Sequence, residues 1–230
     1  MSGLVVDYRH LLAAFFFVAT QLPGPAPSEL PAAAGQQLAQ SLEAAARHSR
    51  HLWRDSPPFN SDGTINAYIE IPRGERRKFE FDMQKHERFI DRVMPESVGG
   101  YPVNYGFVPQ TVSYDGDPFD ALVLGPALEG GTIVHGAIVG LMHMADEKGI
   151  DSKVVLSLVS SNGALRHPLR PEDRSRIGEF FQRYKLHEVG KFSKVPGWDS
   201  VERGQQFVRM THQFFLDCRN SHGAVCRVTR

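Results

Sequence analysis

What this chain has little of narrows the field first. Lys+Arg and Asp+Glu both total 26 in 230 residues, so no excess charge of either sign draws it to nucleic acid or to an anionic membrane. Its two cysteines, Cys218 and Cys226, sit near the C-terminus and fit no metal-ligand spacing. They form a small disulfide if the chain is exported, and are idle thiols otherwise. No apolar run is long enough for a stable membrane span. The stretch Leu11–Ala19 suits the core of a signal peptide and is too short to cross a bilayer. The ten histidines show no metal spacing, and His135 and His143 read as structural. What is present is an ordinary globular composition, 41% hydrophobic and 23% charged, without internal repeats. That suffices for one core domain with extensions.

Arg9 and His10 precede the apolar run, Pro- and Ala-rich sequence follows it, and Ala32-Ala33-Ala34 offers small residues for cleavage. Asp7 and the distance to Ala32 argue the other way. Residues 1–34 thus read as a signal-peptide-like or disordered leader, favouring export to the periplasm or beyond. Residues 35–59 read as an N-terminal extension with a short polar helix over 37–53 (Leu38, Leu42, Ala45) running toward Trp53, a packing residue like Trp198. Residues 60–218 form the core domain and 219–230 a flexible tail.

Within the core, Ala67–Ile71 alternates until Pro72 ends it, and Lys78-Phe79-Glu80-Phe81 alternates again, placing Lys78 and Glu80 together away from the phenylalanines. Further strands are expected at Phe89–Val93, Tyr101–Val108, Ala121–Leu124, Thr132–Met142 and Val154–Val159. Many short strands between Gly/Pro/Asp turns imply a closed or nearly closed antiparallel barrel. Two helices come late. One starts at Pro171 and buries Ile177, Phe180, Phe181 and Tyr184; the other starts near Asp199, with Glu202 in a capping box, and buries Val201, Val208, Thr211, Phe214 and Phe215.

The chemistry concentrates in Asp115-Gly116-Asp117-Pro118-Phe119-Asp120, where three carboxylates fall within six residues. Clustered aspartates repel one another unless a cation holds them, and hard divalent cations take oxygen ligands. A second acidic loop, Met144 to Lys153, adds Asp146 and Asp151. Lys78, Arg92, Tyr105 and the Tyr184-Lys185 pair recur beside the strands. Carboxylates mixed with Lys, Arg and Tyr suit cations bridging to phosphate oxygens, hence phosphoryl transfer to water.

These segments resemble the soluble family I inorganic pyrophosphatases. The Asp115–Val123 stretch is similar to that family's signature. Ile69–Pro72, Lys78–Glu80, Asp91-Arg92, Tyr101–Gly106, Asp146–Lys153 and Phe180–Lys185 follow its pattern in order, covering roughly residues 60 to 217. The core, without long insertions, looks like the bacterial and plant type. The resemblance implies an OB-fold-like five-stranded antiparallel barrel with two late α-helices, and hydrolysis of pyrophosphate to two phosphates with several Mg²⁺ ions, Mn²⁺ and Zn²⁺ being alternatives. It implies that Asp115, Asp120 and Asp151 bind the tightest metal, with Asp120 bridging to a second. Asp146 and Asp151 would hold the metal that arrives with substrate, and Glu70 would help with a further one. Asp117 would be the general base. Lys78, Arg92, Tyr105, Lys153, Tyr184 and Lys185 would hold the phosphoryl groups, with Glu80, Tyr101 and Asn104 supporting. It also implies a homo-oligomer, a hexamer in bacterial relatives, and a cytoplasmic default that the leader opposes.

Three other readings of the acidic stretch compete with this one. A calcium loop starting at Asp115 fails, because it needs glycine at the sixth position and glutamate at the twelfth, where Asp120 and Pro126 stand. A phosphohydrolase with an aspartyl nucleophile matches Asp115-x-Asp117, but requires a parallel α/β sheet. An OB-type oligonucleotide-binding module requires a basic groove with exposed aromatics, unlike these acidic loops.

Overall fold

The computed structural model describes residues 28–220, so the apolar run, most of the leader and the tail with Cys226 lie outside the described residues. The chain opens with helices α1 (Ala32–Ala46) and α2 (Leu52–Asp55). Strands β1 (Ile65–Ile71), β2 (Arg77–Asp82), β3 (Glu87–Val93), β4 (Asn104–Phe107), β5 (Asp120–Leu124), β6 (Ile133–Asp146), β7 (Gly149–Ile150) and β8 (Lys153–Leu158) follow. Helix α3 (Pro171–Arg183), strand β9 (Ser193–Asp199) and helix α4 (Val201–Asn220) complete it.

Five strands close a ring in the order β1-β4-β5-β8-β6, with β6 pairing back onto β1; β7 and β9 add to β6 outside it. The ring is OB-like without being a regular barrel, and it is not wholly antiparallel. The β5–β8 pair runs parallel, in the register Ala121↔Val154 to Leu124↔Ser157. The parity of the ring demands this, since an odd number of strands cannot alternate direction all the way round. β2 and β3 form a separate hairpin whose residues Lys78 and Arg92 pair across strands.

Two cores flank the ring. One gathers Ile65, Ala67, Ile69, Phe119, Val208 and Phe215; the other gathers Ile71, Leu122, Val155, Ile177 and Phe181. Helix α4 buries Phe207, Val208, Thr211, Phe214, Phe215 and Cys218 at the spacing expected of one helical face. Its cap is Ser200, whose Oγ accepts from Arg203 N at 3.3 Å, in place of the expected Asp199. Asp199 instead accepts from His143 Nε2 at 3.1 Å, giving that buried histidine a structural partner. Cys218 is disulfide-bonded.

The extension departs from expectation. A single helix over 37–53 is replaced by α1, which starts just after Pro31 and runs through the Ala-rich segment, and a separate turn of helix, α2, whose N-cap is His51. Alanine is the strongest helix former, so the run from Ala32 carries the helix through the boundary expected at residue 34. Leu38, Ala34 and Ala45 are buried, and Trp53 is buried with its Nε1 donating to the Thr111 carbonyl at 3.0 Å. The extension is therefore packed onto the core. Strand β9 was not expected, because Pro196 and Gly197 interrupt its pattern. It is an edge strand, and its pairing with β6 skips at the proline. Among the described residues no helix is long and apolar enough to cross a membrane.

Candidate active site

The acidic stretch is the loop from β4 into β5. Gly116 adopts φ +91°, a left-handed conformation that glycine tolerates, and this turns the chain between Asp115 and Asp117. Asp117 N donates to Asp115 Oδ1 at 3.1 Å, while Ser113 N donates to the Asp117 carbonyl at 2.6 Å. Below the loop, Phe119 is buried and its N–H donates to Thr111 Oγ1 at 2.9 Å. Anchored at Ser113 and Phe119, the loop holds Asp115 and Asp117 above the ring, with Asp120 at the first position of β5.

These carboxylates line a cleft of about 350 Å³. Glu70 from β1, Lys78 and Glu80 from β2, and Asp91 and Arg92 from β3 form one side; Asp146, Glu147, Lys148 and Asp151 form another. Tyr101, Tyr105, Tyr184 and Lys185 complete it. Of the residues expected in the site, all but Lys153 and Asn104 line this cleft. Lys153 lies beneath it, almost fully buried, with its ammonium between Asp120 and Asp151, 2.8 Å from Asp151 Oδ1. It therefore acts here as counter-ion to the acidic floor, because both carboxylates lie within ion-pair distance of its ammonium. Asn104 is a buried bracket: its Oδ1 accepts from Arg73 N and Leu128 N, and its Nδ2 donates to the Val123 and Pro126 carbonyls.

Charge is unevenly settled in the cleft. Burial raises the Asp115 carboxyl above its usual range, helped by repulsion from Asp120. Burial and the neighbouring Asp115 push Asp117 up to about 6. Glu70, buried under Phe81 N at 2.9 Å, is raised well above the usual range by burial and by Asp120. Burial also raises Asp151, although Lys153 opposes it. Burial disfavours the charge on Lys153, but Asp120 and Asp151 together outweigh that and hold the ammonium protonated. The tyrosines stay phenolic, since burial raises Tyr101, Tyr105 and Tyr184 alike. The cations of the cleft are paired with neighbouring acids. Lys185 reaches Asp146 at 2.6 Å and Glu147 at 3.3 Å, and Arg92 pairs with Asp91 at 3.1 Å and Glu188 at 3.2 Å. Arg92 Nε is buried without a hydrogen-bond partner among the described residues, a donor left over for an anion in the cleft.

The donor set suits hard cations: every acidic group in the cleft is a carboxylate, with no thiolate or imidazole among the lining residues. Among the described residues, no three acidic, histidine or cysteine side chains already converge as a cage. The carboxylates are drawn instead to Lys153, Lys185 and Lys148. Burial raises Glu70, Asp115, Asp117 and Asp151, and repulsion between carboxylates adds to it; a divalent cation would offset both. The cleft also contains residues given no role from sequence: Glu147, Lys148, Asp91, Lys191 and Gln37. Glu147, Lys148 and Asp91 lie within the recognised segments, whereas Lys191 and Gln37 carry no local signal.

An OB-like ring with a carboxylate loop and Lys, Arg and Tyr in one cleft is the arrangement of a phosphohydrolase. Residues 67–216 match the family described as "Pyrophosphatase: Inorganic pyrophosphatase". The inorganic pyrophosphatase of Saccharolobus solfataricus is 38% identical over 154 residues, spanning 63% of this chain and 88% of that protein. That of Thermus thermophilus is 39% identical over 154 residues, spanning 63% and 86%. The crystal structure of the Thermus thermophilus inorganic pyrophosphatase is similar with a TM-score of 0.64 at 35% identity, covering 71% of this chain and 98% of that one. The chain belongs to the family I inorganic pyrophosphatases, a family with a divalent-metal requirement.

Proposed function

We propose that this protein hydrolyses inorganic pyrophosphate to two phosphates in a Mg²⁺-dependent reaction. The observation that carries the reading is one cleft in which Asp115, Asp117 and Asp120 face Lys78, Arg92, Tyr105 and Lys185. Asp115, Asp120 and Asp151 would hold the tightest cation, with Asp120 shared with a second, Asp146 and Asp151 the cation that accompanies substrate, and Glu70 a further one. Bound cations supply positive charge against the phosphoryl oxygens and acidify water at the site.

The protein's own groups do the rest. Asp117, with a carboxyl raised toward neutrality, accepts the proton of the attacking water. The water oxygen bonds to one phosphorus as the bridging P–O bond breaks, and the second phosphate departs with that bonding pair. Lys78, Arg92, Tyr105, Tyr184 and Lys185 hold the two phosphoryl groups in line and offset their charge, which grows on the leaving oxygen. Lys153 works from below, its ammonium seated between the Asp120 and Asp151 carboxyls and offsetting their negative charge. The raised pKa of Tyr105 and Tyr184 keeps both as hydrogen-bond donors.

Phosphate release from pyrophosphate, assayed across a Mg²⁺ titration and in chelator, tests this. Two phosphates per pyrophosphate with activity abolished in chelator is the expected result, and no release at saturating Mg²⁺ would sink the reading. An oxidising, exported location is supported by the disulfide at Cys218 and by the apolar leader. The mass of the mature N-terminus tests that part.

A further inference from the structure

Helix α1 lies before the residues that match the family, yet it reaches the reacting end of the cleft. Gln37 Nε2 donates to Asp117 Oδ1 at 2.6 Å, and Ser41 lines the cleft one turn further on. The approach is close: a Cβ at Gly116 would lie 2.9 Å from Gln37 Cδ and Oε1. Gly116 is thus needed for its backbone conformation, and its lack of a Cβ leaves room for this side chain.

The helix is seated firmly enough to hold such a contact. Leu38 and Ala34 are buried in the core that contains Tyr114, Phe214 and Phe215, and α1 packs against α4. At its far end, Arg54 donates to the Ala45 and His48 carbonyls, and His48 Nε2 contacts the Gln84 carbonyl of the β2–β3 turn at 2.8 Å. Among the described residues the Asp117 carboxylate otherwise has only a loose partner, Lys148 Nζ at 3.8 Å from Oδ2. With Oδ1 occupied by the amide, the carboxylate plane is fixed and Oδ2 is left for the water.

We propose that Gln37 is a positioning residue for the general base, so that docking of the N-terminal helix is part of this enzyme's active site. The inference rests on the assignment of Asp117 as base. The Gln37 side chain lies on the exposed side of α1, and alanine there favours the helix, so Gln37→Ala removes the hydrogen bond without unfolding the protein.

The test is a double-mutant cycle of Gln37→Ala and Asp117→Asn, with steady-state kinetics on pyrophosphate, melting temperature, and Mg²⁺ affinity by calorimetry. Gln37→Ala is expected to lower kcat about ten- to a hundredfold, the size of one hydrogen bond to a charged acceptor, with KM within about twofold. Melting temperature and Mg²⁺ affinity stay unchanged, Gln37→Glu is slower than Gln37→Ala, and the double variant is no slower than Asp117→Asn alone. An unchanged kcat in Gln37→Ala, a rise in KM only, or additive losses in the double variant would overturn the positioning role. Full activity in Asp117→Asn overturns the base assignment itself, so the two failures are told apart.

Discussion

Lys153 holds its ammonium 2.8 Å from Asp151 Oδ1 with 1% of its side chain exposed. A lysine buried this deeply persists only because two carboxylates surround it, and the carboxylates need it equally. Removing one partner of a buried ion pair leaves the other charge uncompensated, which costs about 3–5 kcal/mol. Lys153→Met should therefore lower unfolding free energy by about that amount in metal-free buffer, measured by denaturant titration at pH 7. A loss below about 1 kcal/mol, the range of an exposed pair, would show that the floor of the cleft is solvated.

A ligand that binds the native state alone stabilises it in proportion to the logarithm of its concentration. The mutual repulsion among Asp115, Asp117 and Asp120 makes a divalent cation such a ligand. Melting temperature should rise steadily with Mg²⁺ above its dissociation constant, and rise less in Asp120→Asn. Equal shifts in both proteins would remove Asp120 from the metal site.

Much of this site was legible because its residues are close in sequence. Asp115, Asp117 and Asp120 share one loop, and alternation put Lys78 and Glu80 on one face, where they do pair. Strand β1 and the apolar faces of α3 and α4 were likewise visible as periodicity. What sequence hid depends on distant partners. Nothing local distinguishes Lys153 as a buried counter-ion, and Gln37 meets Asp117 across 80 positions of chain. The parallel β5–β8 pair follows from closing an odd ring, a property of the whole sheet. Strand β9 escaped notice because Pro196 breaks the alternation that marks a strand.

The extension offers an independent check on packing. Trp53 is buried, edge-on to Phe215 with ring centroids 5.1 Å apart, and bonded to the Thr111 carbonyl. Trp53→Ala should cost about 3–5 kcal/mol, and Trp53→Phe less. Denaturant unfolding of both variants measures this. A near-neutral Trp53→Ala would show that the extension contributes little to the folded core.

Protonation should loosen the same region. His51 is packed against His48 and His86, with ring centroids 5.6 and 4.6 Å away. Burial, reinforced by the charges of His86, Arg54 and His48, lowers its pKa from 6.5 to about 4, against a hydrogen bond to the Met83 carbonyl. A histidine kept neutral by folding contributes stability that is complete above its unfolded value and lost as pH falls toward the folded one. Melting temperature should therefore decline between pH 6.5 and 4, and His51→Gln should flatten that decline. Parallel profiles for the two proteins would exclude His51 as the cause.

The central claim is that Asp117 takes the proton of the water that attacks pyrophosphate. The direct measurement is kcat for phosphate release at saturating Mg²⁺ in wild type and Asp117→Asn, an isosteric change that removes the basic oxygen. Loss of a general base costs about 10²–10⁴-fold, so kcat should fall by at least about a hundredfold while the variant still binds Mg²⁺. A variant that turns over pyrophosphate at the wild-type rate would contradict the account.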